Sequence, residues 1–121
     1  METTEIPKLQ METERQATTT VVHCTGEVAV GTLAEFSECI RALFAEGKPI
    51  RVDLANITRV DSTGVGAFVA VWAAAKRRNC DLKYTNPNAG IEDVIRVSAL
   101  LGMLEGHEAE EQQLNAAFST R

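Results

Sequence analysis

The most constraining feature of this sequence is a stretch in which a strand-like segment changes directly into a long apolar helical segment. Val60–Gly66 (Val-Asp-Ser-Thr-Gly-Val-Gly) joins the two, and Val65–Ala75 follows as 11 residues without a charge. An aspartate and two hydroxyl residues are all good helix caps, so the stretch predicts a strand-to-helix corner at Asp61–Thr63. A helix that is apolar on every side is either buried or partly covered by a partner.

Signals for strands and helices alternate along the rest of the chain. Strands are predicted at Lys8–Arg15, Thr18–Thr25, Ile50–Val60 with a break at Asn56, and Asp81–Thr85. Helices are predicted from Leu33 to the stop signal at Gly47, from Thr63 to about Arg78, around Ile91–Leu101, and at Glu108–Phe118. The order ββαβαβα(α) predicts an α/β fold with one mixed sheet of four to five strands packed against helices.

Three local signals describe these elements further. Thr32 and Glu35 have the spacing of a capping box, which predicts the start of the first helix. Gly26 and Glu27 are predicted to end the second strand. In the second helix, one face is predicted to contain Val65, Phe68, Val69 and Trp72, and the opposite face Ala67, Ala70, Val71, Ala74 and Ala75.

Length and composition restrict the class of protein. The 121 residues predict a single domain over 1–121, with a frayed N-terminus at 1–7 and a C-terminal helix at 107–121. The net charge of −5 argues against nucleic acid as a partner. The absence of a signal peptide and of a long apolar run predicts a cytoplasmic protein without membrane insertion. The cysteines, which are predicted to be reduced packing residues, are Cys24, Cys39 and Cys80.

The residue pattern gives little support to catalysis. The chain contains no GxSxG, GxGxxG or GxxxxGK motif, so no cofactor is predicted. His23 is predicted to be a structural histidine within a strand, and His107 to belong to a solvated acidic helix start and not to a metal site. Asp53 and Asp61 form an acid–base pair only if the fold brings them together. The chain is therefore predicted not to be an enzyme, and the sequence leaves its oligomeric state open.

Asp61–Thr63 has more polar groups than a helix cap needs. One cap residue contributes about 1 kcal/mol, yet three polar residues are followed by Gly64, by Gly66 and by an uncharged helix. A helix N-terminus carries free N–H groups and a partial positive charge, so a hydroxyl there is well placed to become a phosphate. These residues predict an exposed phosphoacceptor beside a partner-binding face.

Several stretches in this order resemble the STAS domain of bacterial anti-sigma-factor antagonists. Val60–Gly66 is similar to the family's Asp-Ser-Ser/Thr-Gly-Leu-Gly signature, and Val52-Asp53-Leu54 to its Val-Asp-Leu strand. The other matching stretches are Thr20-Val21-Val22, Thr25-Gly26-Glu27, Asn86-Pro87 and Ser98-Ala99-Leu100, so that the resemblance runs from about Leu9 to Leu104. It implies a single STAS-type domain with a mixed sheet.

The resemblance also implies a function. In that family the serine after the motif's aspartate is phosphorylated by a serine kinase that is also the anti-sigma factor. This implies phosphorylation at Ser62, partner switching in the control of transcription by a sigma factor, and a serine phosphatase that resets the switch. ATP is then bound by the kinase. The implied partner-binding residues are Glu27, Asp61, Ser62, Thr63, Gly64, Val65 and Gly66.

One departure from the family pattern leaves an alternative open. The family corner usually reads Gly-Glu-Leu/Ile-Asp, whereas this chain has Gly26-Glu27-Val28-Ala29 and lacks the last carboxylate. The alternative is a STAS subunit that is not phosphorylated and serves as a scaffold in a larger complex. A lipid-transport ABC system and a stress-signalling assembly are two such complexes.

Overall fold

The computed structural model describes residues 7–118, so residues 1–6 and 119–121 lie outside the described part. All but Pro7 of the predicted frayed end, and the last three residues of the predicted C-terminal helix, fall outside it. The elements are β1 (Leu9–Arg15), β2 (Thr20–Val28), α1 (Leu33–Arg41), β3 (Ile50–Val60), α2 (Ser62–Arg77), β4 (Leu82–Thr85), α3 (Ala89–Val97) and α4 (Glu108–Phe118). Short 3₁₀ turns follow α1 at Phe44–Glu46 and α3 at Leu101–Met103.

The four strands form one mixed sheet in the order β1-β2-β3-β4. β1 and β2 are antiparallel because the link between them is short enough for a hairpin. β2, β3 and β4 are parallel because α1 and α2 serve as crossovers between them. A single bridge from Leu104 to Tyr84 extends the β4 edge. The predicted α/β fold is confirmed, and within residues 7–118 this bridge is all that represents a fifth strand.

Helices α1 and α2 pack against one face of the sheet, where an aromatic cluster joins them to β4. The Phe36 and Phe68 ring centroids are 5.4 Å apart, and those of Phe68 and Tyr84 are 4.8 Å apart. The Tyr84 hydroxyl donates a hydrogen bond to the Phe68 carbonyl at 2.8 Å, so this buried polar group is satisfied. The buried strand residues on the same face include Val22, Cys24, Val52, Leu54 and Leu82. This layer holds α2 in place from its inner side.

The opposite face of the sheet carries a chain of polar side chains from three elements. His23 on β2 lies between two carboxylates, with Nδ1 at 2.9 Å from Asp53 and Nε2 at 2.9 Å from Glu14. The Asn86 amide adds a hydrogen bond to Asp53 at 3.3 Å. Both ring nitrogens of His23 are therefore engaged, as predicted for a structural histidine.

One predicted strand end and one predicted strand break are wrong. β2 continues through Gly26 to Val28, because Gly26 takes a left-handed conformation with φ of +116° and pairs with Leu9 of β1 and Ile57 of β3, while the register with β3 shifts by one residue directly after it. A Cβ atom at Gly26 would lie 2.1 Å from the Lys8 carbonyl oxygen, and the neighbouring N–H of Glu27 donates to that same oxygen at 2.8 Å. β3 does not break at Asn56. The register between β2 and β3 shifts between His23 and Thr25, and this irregularity accommodates one extra residue of β3.

The predicted capping box is also wrong. Thr32 precedes α1 but makes no side-chain cap bond to it. Its hydroxyl instead accepts from the Ala29 N–H at 3.1 Å and donates to the Glu27 carbonyl at 2.9 Å. The threonine thus stabilises the turn before the helix. α1 itself ends at Arg41, and Gly47, with φ of +76°, ends the 3₁₀ turn that follows.

The His23 network predicts a pH-dependent stability. The hydrogen bonds that the His23 ring donates to Glu14 and then to Asp53 raise the pKa of His23 above its ordinary value of 6.5. A raised pKa in the folded state stabilises the protein fully below that ordinary value, and this contribution is lost as the pH rises through the folded pKa. Urea denaturation from pH 6 to pH 9 should show that wild type loses stability relative to His23→Gln. A difference that does not vary with pH would contradict the role of this network.

Candidate functional site

The strand-to-helix corner is held together by one carboxylate. Asp61 is the N-cap of α2, and its Oδ1 accepts hydrogen bonds from the Gly64 N–H at 2.8 Å and the Thr63 hydroxyl at 2.6 Å. Its Oδ2 accepts from the Val30 N–H at 3.2 Å. Because Val30 lies in the loop between β2 and α1, Asp61 joins that loop to the start of α2.

These donors determine the charge of Asp61. The Thr63 hydroxyl, followed by the Gly64 and Val30 N–H groups, lowers the pKa of Asp61 to about 2. The carboxylate is therefore negative throughout the physiological pH range. α2 begins at Ser62, one residue before the predicted start, since Asp61 alone serves as the cap.

The two hydroxyl residues of the corner have different environments. The Thr63 hydroxyl is occupied as a donor to Asp61. Ser62 is exposed, and across residues 7–118 its hydroxyl has no hydrogen-bond partner. Only Ser62 therefore presents a free hydroxyl at the corner.

The two glycines of the motif also differ. A Cβ atom at Gly64 would lie 1.9 Å from the Val28 carbonyl oxygen and 2.9 Å from Val60 Cγ1. Gly64 is needed because α2 approaches the end of β2 very closely. Gly66 is exposed, and a Cβ atom there would meet nothing within 4 Å. The contact made possible by Gly64 is thus internal, and only Gly66 faces outward.

Over its first three turns the outer side of α2 is uncharged, and it coincides with neither of the two faces predicted from the sequence. The buried side combines residues from both predicted faces, because the helix packs on the sheet and on α1 together. The buried residues are Gly64, Phe68, Val71, Trp72, Ala74 and Ala75. The first three turns expose small residues instead: Ser62, Thr63, Gly66 and Ala70. Val65 is half-buried beside them.

Two residues beside the corner were not predicted to lie there. Arg59 on β3 pairs with Glu27 on β2 through Nη1 and Oε1 at 2.6 Å. Val30 is 68% exposed next to the Asp61 carboxylate. A sequence motif contains only residues that are consecutive in the chain. The predicted site therefore included neither Arg59, which precedes the motif on β3, nor Val30, which lies 31 residues before Asp61.

Ala29, at the position of the missing family carboxylate, is fully buried. Its N–H and its carbonyl are both bonded to the Thr32 hydroxyl at 3.1 Å. The turn is therefore organised by a threonine side chain. The only acidic side chain of the Gly26–Ala29 segment is Glu27, whose carboxylate is bound by Arg59.

The other candidate residues lie elsewhere and do not form a catalytic set. Asp53 is bound to His23 on the polar sheet face and does not meet Asp61. The His107 ring lies 3.7 Å from the Glu110 carboxylate. Among residues 7–118, no group of three metal-ligating side chains converges. Within the same residues, the helices are too short or too polar to cross a membrane.

The contrast between the two glycines gives a direct test of the corner. Gly64→Ala should lower the free energy of unfolding by about 1–3 kcal/mol because its methyl group overlaps the β2 backbone. Gly66→Ala, its matched control two residues further along α2, should be neutral or stabilising by up to about 1 kcal/mol. Urea denaturation of both variants measures the difference. Equal effects at the two positions would show that the close approach does not constrain the corner.

This chain is similar in sequence to known proteins. The family model described as "Mlab, STAS domain" matches residues 11–105. The anti-sigma-B factor antagonist of Bacillus subtilis (strain 168) is 29% identical over 87 residues, which cover 64% of this chain and 80% of that protein.

Solved structures share the fold at lower identity. The anti-sigma factor antagonist SpoIIAA in its unphosphorylated form has a TM-score of 0.66 at 16% identity, covering 93% of this chain and 99% of that one. The Bacillus cell fate determinant SpoIIAA in its phosphorylated form has a TM-score of 0.61 at 17% identity, covering 87% of this chain and 99% of that one. Since the family model spans most of the described residues and the fold is the same, the chain belongs to the STAS domain family.

Proposed function

We propose that this chain is an anti-sigma-factor antagonist that docks its Asp61–Gly66 corner on an anti-sigma factor with serine kinase activity. In the unphosphorylated state the complex forms and the sigma factor is released. Phosphorylation of Ser62 by the same kinase then dissociates the complex. The names of the curated relative and of the structural neighbour, which is known in phosphorylated and unphosphorylated forms, support this function.

The free hydroxyl of Ser62 is the observation that carries the proposal. A phosphoacceptor must be reachable by a kinase, and Ser62 is exposed at the first position of α2. Thr63 is the less suitable acceptor because transfer to its hydroxyl would break the hydrogen bond to Asp61. The exposed small residues of α2 leave room for a partner to approach the helix backbone.

The switch acts at the interface and leaves the fold intact. A phosphate adds about −1.5 to −2 charges at pH 7. The N-terminus of α2 tolerates negative charge because the helix dipole is positive there, and the Asp61 carboxylate already binds the Gly64 N–H in this first turn. Against a partner surface, however, the dianion must lose its hydration, and a loss of about 3 kcal/mol weakens a complex roughly a hundredfold.

This function is a binding function without catalysis by the chain itself. ATP is bound by the kinase. A serine phosphatase removes the phosphate from Ser62, so that the chain can bind the kinase again. Partner switching of this kind takes place in the cytoplasm, where the sigma factor and RNA polymerase act. The proposal needs no cofactor in this chain.

Substitutions at Ser62 test the switch. Ser62→Ala should bind the kinase permanently, while Ser62→Asp should bind at least tenfold more weakly because it brings a charge to the interface. Ser98→Asp, at an exposed serine after α3, is the control for added charge and should bind like wild type. Calorimetry with the purified kinase measures all three. The proposal fails if Ser62→Asp binds as tightly as Ser62→Ala.

A second candidate function is a STAS scaffold that is not phosphorylated. Ala29, buried and without a carboxylate where the antagonist family has one, favours it. Affinity purification from native lysate, with mass-spectrometric mapping of Ser62, separates the two. A transporter ATPase in the eluate and an unmodified Ser62 support the scaffold. A serine kinase and phosphate at Ser62 support the antagonist.

A further inference from the structure

The ion pair between Arg59 and Glu27 lies beside the proposed phosphorylation site and is not part of the signature motif. The two residues are register partners on the parallel strands β3 and β2. Their contact joins Nη1 to Oε1 at 2.6 Å, and the side chains are 59% and 27% exposed. Ion pairs at such exposed positions are weak, so a stronger anion nearby can replace the carboxylate.

Arg59 lies two residues before Asp61, whose backbone is still extended. In an extended strand, residues two apart point to the same side, so Arg59 lies on the side of Asp61. The low pKa of the Asp61 carboxyl is due first to the Thr63 hydroxyl and then to the Gly64 N–H, and the Arg59 guanidinium adds the smallest contribution. Ser62 follows directly as the first residue of α2.

The guanidinium has unused hydrogen-bonding capacity. Arginine carries five N–H donors in a planar fork. Within residues 7–118, Arg59 donates only through Nη1, and only to Glu27. A phosphate offers three acceptor oxygens and more charge than a carboxylate, and it matches the fork with two parallel hydrogen bonds.

We infer that Arg59 is a phosphate-responsive switch residue that leaves Glu27 for the phosphate when Ser62 is phosphorylated. This inference rests on the proposed function, because it concerns the phosphorylated state of the same site. The exchange partly neutralises the phosphate and leaves Glu27 without its cation. Negative charge then covers both the start of α2 and the end of β2, which broadens the surface that repels the partner.

The test measures the phosphate itself. Phosphoserine is incorporated at position 62 of the full chain during translation, and the phosphate is titrated by ³¹P NMR. Its second pKa, ordinarily about 6, should be about half a unit or more higher in Arg59→Gln than in the parent protein, since the opposite charge is lost. Arg15→Gln removes an arginine from another exposed pair, with Glu46, and should leave the value unchanged.

A second pair of variants tests the competition with Glu27. Glu27→Gln should lower the phosphate pKa. The effect should be larger with Arg59 present than in Arg59→Gln, because loss of the Glu27 carboxylate frees the arginine to bind the phosphate. The inference is overturned if Arg59→Gln and Arg15→Gln titrate alike, or if Glu27→Gln acts equally in both backgrounds.

The phosphate is installed without a kinase, so this result is independent of the proposed function. If phosphoserine at 62 leaves kinase binding intact while the Arg59 dependence is observed, the proposed function fails and the inference stands. If phosphoserine abolishes binding but its pKa does not respond to Arg59, the proposed function stands and the inference is overturned.

Discussion

The hydrogen bonds accepted by the Asp61 carboxylate are the interaction on which the site depends. One oxygen caps α2 and binds Thr63, while the other reaches the loop that follows β2. Two segments separated by some thirty residues are thereby fixed next to each other. The same bonds keep Asp61 ionised and occupy the threonine hydroxyl, and in doing so they leave Ser62 as the free group. The selectivity between two adjacent hydroxyls is a consequence of how the corner is capped.

Much of the fold follows from local patterns in the sequence. The order of elements, the hairpin of β1 and β2, and the helix Glu108–Phe118 were all predicted, since each depends on periodicity or on a short link. The corner at Asp61 was predicted as well, because capping residues and glycines are signals within a few positions of one another. The resemblance of the ordered stretches to the STAS domain is confirmed by the family match.

The features that were missed depend on tertiary contacts. The capping box at Thr32 failed because the hydroxyl found partners in the preceding turn. The predicted faces of α2 failed because the helix packs on two neighbours, so periodicity alone does not distinguish the buried side of an apolar helix. Arg59 was not predicted near the site because its partner belongs to another strand. The strand register, which places Glu27 opposite Arg59, is absent from any local window.

The backbone contact between Lys8 and Glu27 has a practical consequence for observing this protein. The first strand begins beside the corner, since the Lys8 carbonyl accepts the Glu27 N–H. Phe118, by contrast, packs on Trp72, ten residues or about 15 Å along α2 from Ser62. The two ends of the described chain therefore differ as attachment points. A fluorophore at Lys8 would be attached next to Glu27 at the end of β2, whereas one near Phe118 would be attached at the far part of α2.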